Sequence, residues 1–377
     1  MTPVPTFTLP VKPKSRPRIS LSRENIFNIV IFSDLHCGED ESTFGPEQDR
    51  KPTKVMGKIL DFEEPDFVVI NSDLITGENT MIENSTQYVS QIVSPMVAKN
   101  YHWASTYGNH YTQYNLSREA RFLEHSPKKV GGVTNYWLPV YRSDDSAAPA
   151  AILYFFDSQG GEKYQRWRFA KWIPNWVEAS AVKWFRRERE CIEKRRGVVP
   201  SLAFVHIPPT PLLQLQKKMF PRKGGKDGHF PGLNDDVPVA DQGEGRWGHK
   251  DKEFVKALLE TKWLNSVYSG HGHVKSWCGT WAGERDMEKT KKEPLLCLVK
   301  HTGYGGYGNW ERGSRVVQLK FGEESDKDVK EMNVDTWVRL ESGDVIQTVS
   351  LNETYGSNIY PADDVEGGYM IRIYFNE

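Results

Sequence analysis

The chain has 377 residues, 38% of them hydrophobic and 12% aromatic, enough to bury a large core and too much for a disordered chain. Its 49 basic residues almost balance 50 acidic ones, so no positive excess points to a nucleic acid and no basic amphipathic helix points to a membrane surface. No run of about 18 apolar residues occurs, so no helix is expected to span a membrane.

The first 24 residues, rich in Pro, Lys and Ser, read as a flexible arm without the apolar stretch of a signal peptide. An intracellular protein is therefore expected. Asn-x-Ser/Thr triplets at Asn84, Asn115 and Asn352 keep open a secreted chain whose leader has been removed. From Asn25 to Phe32 an apolar, β-branched run predicts a buried strand. Val55, Met56, Ile59 and Leu60 then fall on one helical face. Asp66 to Ile70 predicts a second strand, and Val89, Ile92, Val93, Met96 and Val97 a second helix. Further strands are expected over Tyr101 to Tyr107, Ala151 to Phe156 and Ser201 to Ile207, with a helix through Val182 to Ile192. Pro208 to Gly248 is rich in Gly, Pro and Lys and lacks periodicity, which suggests a lid-like insertion. A short helix (EFVKALLE) and a strand (LNSVYS) follow, and then four strands with no helix between them: LLCLV, RVVQLKF, TWVRLE and VIQTVSL.

Strands alternating with helices, then strands alone, predict an α/β fold with one large mixed sheet or two packed sheets. No repeat or linker divides residues 25–377, which are expected to form a single domain closed by C-terminal strands over residues 321–377. Cys37, Cys191, Cys278 and Cys297 show no zinc-finger spacing. Cys278 and Cys297 either face each other across neighbouring strands or remain two reduced thiols.

Five of the apolar runs end in the same chemistry. The first is followed by Asp34-Leu35-His36, the second by Asn71-Ser72-Asp73, the third by Gly108-Asn109-His110. SLAFV ends in His206, and LNSVYS leads into His271-Gly272-His273, so five of the chain's 10 histidines stand in these motifs after His36 is counted. Each motif alone reads more simply as a turn, a cap or a core histidine. Taken together, and placed beyond the carboxyl ends of strands where open α/β sheets bind ligands, they supply imidazole, carboxylate and amide donors. The set exceeds one tetrahedral zinc and suits two metals sharing a carboxylate.

The series Asp34-x-His36, Asp73, Gly108-Asn109-His110, His206 and Gly270-His271-x-His273 resembles the calcineurin-like metallophosphoesterases. It is most similar to the small purple-acid-phosphatase-like proteins of plants and fungi. The resemblance runs from about Asn25 to Lys320 and takes in the late KHTGYGGYGNWERGSRVVQL segment. The Gly303 to Gly308 run is accordingly no nucleotide fingerprint, since it lacks the Gly-Lys-Ser/Thr of a P-loop. The resemblance implies a four-layer α/β/β/α sandwich, two mixed β-sheets flanked by helices, with two metal ions (Fe, Zn, Mn or Ni) at one end. Asp34, His36, Asp73 and His273 would hold one ion, and Asp73, Asn109, His206 and His271 the other. A hydroxide bridging the two would attack a phosphate ester in line, with His110 as general acid.

This chain departs from that pattern at three positions. Thr76 stands where purple acid phosphatases carry a metal-bound tyrosine, so no purple colour is expected. Ser72 replaces the usual Gly before the shared aspartate, and Tyr111 the usual Asp after Asn-His. A phosphomonoesterase is the expected activity. A phosphodiesterase on the same centre, or a weakly active or non-catalytic binding module because of Tyr111, is the alternative. Specificity is sought in Lys217, Lys218, Arg222, Lys223, His229 and His249, which equally describe a solvated loop, and in the Tyr304 to Trp310 loop; Arg118 and Arg121 read as surface residues. Beyond a phosphate-ester substrate, no nucleic-acid or membrane partner is expected, and a monomer is the default.

Overall fold

The computed structural model describes residues 18–39, 45–77, 79–80, 84–110, 127, 129–161, 172–219, 228–234, 237–243, 250–280, 293–322 and 332–361. Among these, the chain passes through β1 (Ile19–Ser20), β2 (Ile26–Phe32), α1 (Gly45–Gln48), α2 (Arg50–Glu63), β3 (Phe67–Asn71), α3 (Ser85–Ala98), β4 (His102–Thr106), β5 (Tyr136–Tyr141) and β6 (Pro149–Phe156). It continues through α4 (Ala179–Arg196), β7 (Ser201–Val205), α5 (Thr210–Met219), α6 (Lys252–Leu259), β8 (Leu264–Ser269), β9 (Cys278–Thr280), β10 (Leu295–Leu298), β11 (Gly313–Phe321), β12 (Met332–Leu340) and β13 (Val345–Ser350).

The strands form two sheets rather than one, in the orders β1-β5-β6-β7-β8-β10-β9 and β13-β12-β11-β2-β3-β4. In the six-stranded sheet β2, β3 and β4 run parallel; in the seven-stranded sheet β6, β7, β8 and β10 do. Both parallel sets are buried on both faces, which is why their sequences read as unbroken apolar runs. In β2, Phe27, Ile29 and Ile31 point to the core between the sheets, while Val30 and Phe32 meet the helix layer. That outer layer is built from Val55, Met56, Ile59 and Leu60 of α2 and Val89, Ile92, Val93 and Met96 of α3. On the far side α4, α5 and α6 cover the seven-stranded sheet. The result is the α/β/β/α sandwich.

The inner face of the seven-stranded sheet carries a ladder of rings. Tyr136 stacks on Phe155 at 4.6 Å, Phe155 on Phe204 at 5.1 Å, and Phe204 on Tyr268 at 5.6 Å, one rung from each of β5 to β8. Each such pair adds about 0.5–1.5 kcal/mol beyond burial. Polar bonds cross between the sheets as well. The Tyr136 hydroxyl donates to Ser105 O at 2.6 Å. The buried guanidinium of Arg315 donates across to Leu298 O at 3.0 Å and to Ser276 O, and within its own sheet to Thr336 Oγ1 at 3.0 Å. Burial lowers its pKa to about 10, and these acceptors replace the water it has lost.

Several segments differ from the reading of the sequence. The N-terminal arm is tied down before residue 24, because Ile19 and Ser20 pair in parallel with Val140 and Tyr141. The lid-like insertion opens with a packed helix, α5, which buries Leu212, Leu213 and Leu215 and receives an Asp251 cap on Thr210 N and Oγ1. Of its cationic residues, Lys217 and Lys218 lie in the last turn of α5, and His229 Nδ1 lies 2.8 Å from Asn358 O. Arg222, Lys223 and His249 lie outside the described residues, as do Tyr111, Asn115, Arg118 and Arg121. Cys278 and Cys297, directly opposed in the β9–β10 ladder, form a disulfide; Cys37 and Cys191 are free thiols.

Candidate metal centre

Parallel strands of both sheets present their carboxyl ends at the same edge of the sandwich. β2, β3 and β4 lead into Asp34 and His36, Asp73, and Asn109 and His110; β7 and β8 lead into His206, and into His271 and His273. The turns that follow are tight. Asp34, His36, Ser72, Asp73 and His271 all have left-handed backbones, with φ of 56°, 48°, 70°, 48° and 67°. Non-glycine residues take up such conformations at a cost of about 1–2 kcal/mol each, and they gather at functional sites. The φ of Ser72 also accounts for the glycine usual at this place.

The two sheets are joined at this edge by hydrogen bonds. Ser33 Oγ donates to Asp34 Oδ2 at 2.7 Å, and His271 N donates to both Asp34 carboxylate oxygens at 3.1 Å. Thr302 N donates to Ser33 O and Gly303 N to Asp34 O, each at 3.0 Å. His206 Nδ1 lies 2.9 Å from Asn71 O, and His273 Nδ1 lies 3.0 Å from Tyr307 O. A carbonyl can only accept, so both Nδ1 atoms carry a proton, and in the neutral ring the lone pair is left to Nε2. His36 Nδ1 meets Thr76 Oγ1 at 3.3 Å. In each case the second nitrogen is turned inward, as a metal-binding histidine with an outer partner requires.

The inward atoms crowd together. His36 Nε2 and His273 Nε2 are 3.1 Å apart, and His206 Nε2 is 2.7 Å from Asp73 Oδ2. Asp34 Oδ1 lies 3.6 Å from His273 Nε2 and 3.8 Å from His206 Nε2. His110 donates its backbone N–H to Asp73 Oδ1 at 3.2 Å and holds Nε2 4.0 Å from Asp73 Oδ2. Asp34–His36–His273, His36–Asp73–His110 and Asp73–His206–His271 each bring ligand atoms within 4.8 Å of one another. Asn109 Oδ1 is buried without a hydrogen-bond partner, which is unusual for a native interior and fits an atom that serves a cation.

Electrostatics point the same way. Burial, and then the neighbouring histidines, hold the pKa of His36 well below the ordinary value. Burial lowers His271 to about 3 and also depresses His273. These rings are kept neutral, the form that binds metals. Burial also disfavours charge on His206, but pairing with Asp73 outweighs it and raises its pKa; Asp73 is correspondingly held well below the carboxylate range despite burial.

Sequence reasoning missed the groups behind the ligands. The His273 ring stacks on Tyr307, 4.0 Å away and within 5° of parallel, and meets the buried His301 ring 3.9 Å away at a tilt of 34°. Main chain closes the back of the site: a Cβ on Gly303 or Gly305 would overlap the backbone of Leu35 or His36, and one on Gly306 would overlap the His273 ring. The glycine run is thus required by close packing against the Asp-Leu-His turn. The run itself was the signal, and only the packing gave it meaning.

The profile of the calcineurin-like phosphoesterases matches residues 27–275, so this chain belongs to that family. Among curated proteins, it is 28% identical to "Phosphatase DCR2" of Saccharomyces cerevisiae, over 86% of this chain and 55% of the yeast protein. The chain thus spans about half of that relative's length. It is 24% identical to "Probable inactive purple acid phosphatase 29" of Arabidopsis thaliana, over 86% of this chain and 85% of the plant protein. Among solved structures, it is similar to a dimetal phosphatase from Danio rerio, with a TM-score of 0.49, 13% identity, and coverage of 86% of this chain and 98% of that one.

Proposed function

We propose that this chain is a two-metal phosphomonoesterase. The observation that carries the reading is the meeting of six donor residues from two sheets at one edge, Asp34, His36, Asp73, His206, His271 and His273, with the Nε2 atoms of His36, His206 and His273 turned inward by outer hydrogen bonds. Asp34, His36, Asp73 and His273 would hold one cation. Asp73, Asn109, His206 and His271 would hold the other, so that Asp73 is shared. The donor set admits Fe, Zn, Mn or Ni. Two such cations, when bound, draw in a phosphoryl group and bring the pKa of water from about 15.7 towards about 7.

The chain's own residues do the rest. The Asp34 carboxylate, fixed by Ser33 Oγ and His271 N, keeps the first donor group in place. Asp73 anchors the backbone of His110 and so aims its ring across the site. His110, which is partly open to solvent, gives its proton to the departing alkoxide oxygen. No side-chain nucleophile is required, and none of the residues gathered here is a serine or cysteine poised for that role.

A second reading follows from the relatives. The Arabidopsis proteins are named "probable inactive", and by analogy this chain would lack turnover. Elemental analysis, paired with hydrolysis of para-nitrophenyl phosphate and bis-para-nitrophenyl phosphate on the same sample, separates the readings. About two metals per chain with monoester turnover supports the proposal. Faster diester turnover makes it a phosphodiesterase, metal without either makes it a binding module, and absence of metal after reconstitution overturns the centre itself.

A further inference from the structure

A turn of unusual backbone stands beside the more open half of the donor cluster. β6 and β7 run parallel with Phe156 opposite Val205, so the residues after β6 emerge beside His206 at the donor edge. They are Asp157, Ser158, Gln159, Gly160 and Gly161, and the last three take left-handed backbones, with φ of 54°, 113° and 73°. Glycine takes up such conformations freely, whereas Gln159 does so at a cost of about 1–2 kcal/mol. The turn is clamped from behind. Asp157, fully buried, accepts from Val133 N at 2.6 Å and from Gln159 N at 2.8 Å, and its own N–H donates to Asn135 Oδ1 at 3.2 Å. Thr134 Oγ1, between those partners, accepts from Tyr107 N at 2.9 Å, which ties the same patch to the strand end that leads to Asn109. Two features of the turn then reach the donors. Ser158 Oγ accepts from Ile207 N at 3.1 Å, one residue past His206. Gly160 lies against Asn109: a Cβ placed on it would stand 2.7 Å from Asn109 Cβ and 3.2 Å from Asn109 Cα, where carbon atoms need about 3.5–4.0 Å. No hydrogen bond reaches Asn109 Oδ1, so the place of this side chain is set by packing.

We propose that the 157–161 turn is the positioning element of one cation only: it fixes Asn109 through Gly160 and His206 through Ile207, and so sets the affinity of the ion that those two donors share. The proposal rests on the two-metal reading and names the part of the fold that decides whether the second ion is held. The other ion is independent of the turn, because Asp34, His36 and His273 are braced by Ser33, Thr76 and Tyr307 instead. A glycine is required at 160 for the same reason. Any side chain there would push Asn109 away from His206, and a donor displaced by a few tenths of an ångström no longer meets the short distances that a cation demands.

The test titrates the metal-free full chain with manganese(II) and reads binding by calorimetry, with electron paramagnetic resonance on the same samples. The parent is expected to take up about two ions per chain. Ions that share a carboxylate couple magnetically, so the spectrum of an isolated ion is suppressed at full loading. Gly160→Ala should weaken one ion roughly 10- to 100-fold, the range met when a group behind a metal ligand is changed, and leave the other at the parent affinity. The isolated-ion spectrum should then persist at a loading that suppresses it in the parent. Asp157→Asn, which keeps the size of the turn and loosens its clamp, should weaken the same ion by less, and it decides the matter should Gly160→Ala not fold. Phe185→Leu, in the outer core of the seven-stranded sheet, should lower the melting temperature of the metal-free chain and leave both affinities alone, which separates positioning from general loss of stability. Parent affinities for both ions in both turn variants, a parallel weakening of the two ions, or the same selective loss in Phe185→Leu would overturn the positioning role and leave the two-metal reading intact. A parent that binds fewer than two ions would overturn that reading, and the positioning role with it.

Discussion

The two halves of the donor cluster are built differently. Asp34, His36 and His273 are buried, and each is braced from outside: by Ser33 Oγ and His271 N, by Thr76 Oγ1, and by Tyr307 O with the Tyr307 and His301 rings. In the other half His206 is buried and braced by Asn71 O, but Asn109, His271 and the neighbouring His110 are only partly buried, and Asn109 Oδ1 has no hydrogen-bond partner. The contrast teaches a division of labour. One half is fixed by its surroundings; the other faces solvent, where on the proposed function a substrate would arrive and a proton would travel.

Asp73→Asn strikes both halves and gives the largest effect. Metal should fall in both, and monoester turnover should drop by at least about 100-fold, more than most changes behind the ligands bring. His110→Ala breaks the comparison on the open side alone. Metal content should stay at the parent level while kcat falls roughly 10²–10⁴-fold. Thr76→Val tests the closed side: affinity for one of two metals, measured by chelator competition, should weaken roughly 10- to 100-fold, with Thr76→Ser close to the parent.

Acid should loosen the metal-free chain. His36, His271 and His273 are held neutral in the fold but protonate in the unfolded chain near their ordinary value of 6.5. Unfolded chain then binds more protons, so this stability is present above pH 6.5 and is lost as pH falls towards the folded value of about 3 for His271. The raised pKa of His206 works in the opposite sense, but the buried His301 is depressed as well, and one group against four leaves a net loss. Melting temperatures of the chelated protein at descending pH measure it; a flat profile would contradict the buried, neutral rings. Ser72→Gly is the smallest change. It relieves a left-handed serine and should stabilise the chain by about 0.5 kcal/mol in a denaturant titration.

The donor residues were legible because each follows a buried strand directly, and that adjacency survives in one dimension. The split into two sheets came only from the family resemblance and is borne out; the strand pattern alone left one sheet or two open, since strands buried on both faces carry no mark of which sheet they join. β5 escaped notice because Pro139 reads as a break. It is tolerated because β1 pairs only with Val140 and Tyr141 and asks nothing of the Pro139 nitrogen. α5 was hidden by Pro and Gly around it, although Pro211 at the start of a helix is no obstacle. Thr76 was noticed only as a missing tyrosine. Its hydrogen bond to His36 and the His301–His273–Tyr307 stack depend on segments far apart in the chain, and no local pattern announces them.

The glycine wall behind the donors has a bearing on exchange with solvent. Side chains can swing between rotamers and open a door; the main chain of Gly303, Gly305 and Gly306, packed on Leu35, His36 and His273, has no rotamers to change. On the proposed function, ions would come and go past the partly buried His110 and His271, through the same mouth as substrate. A phosphate bound there would stand in the doorway as well as in the site, and a metal-loaded centre should then give up its metal more slowly while phosphate is held.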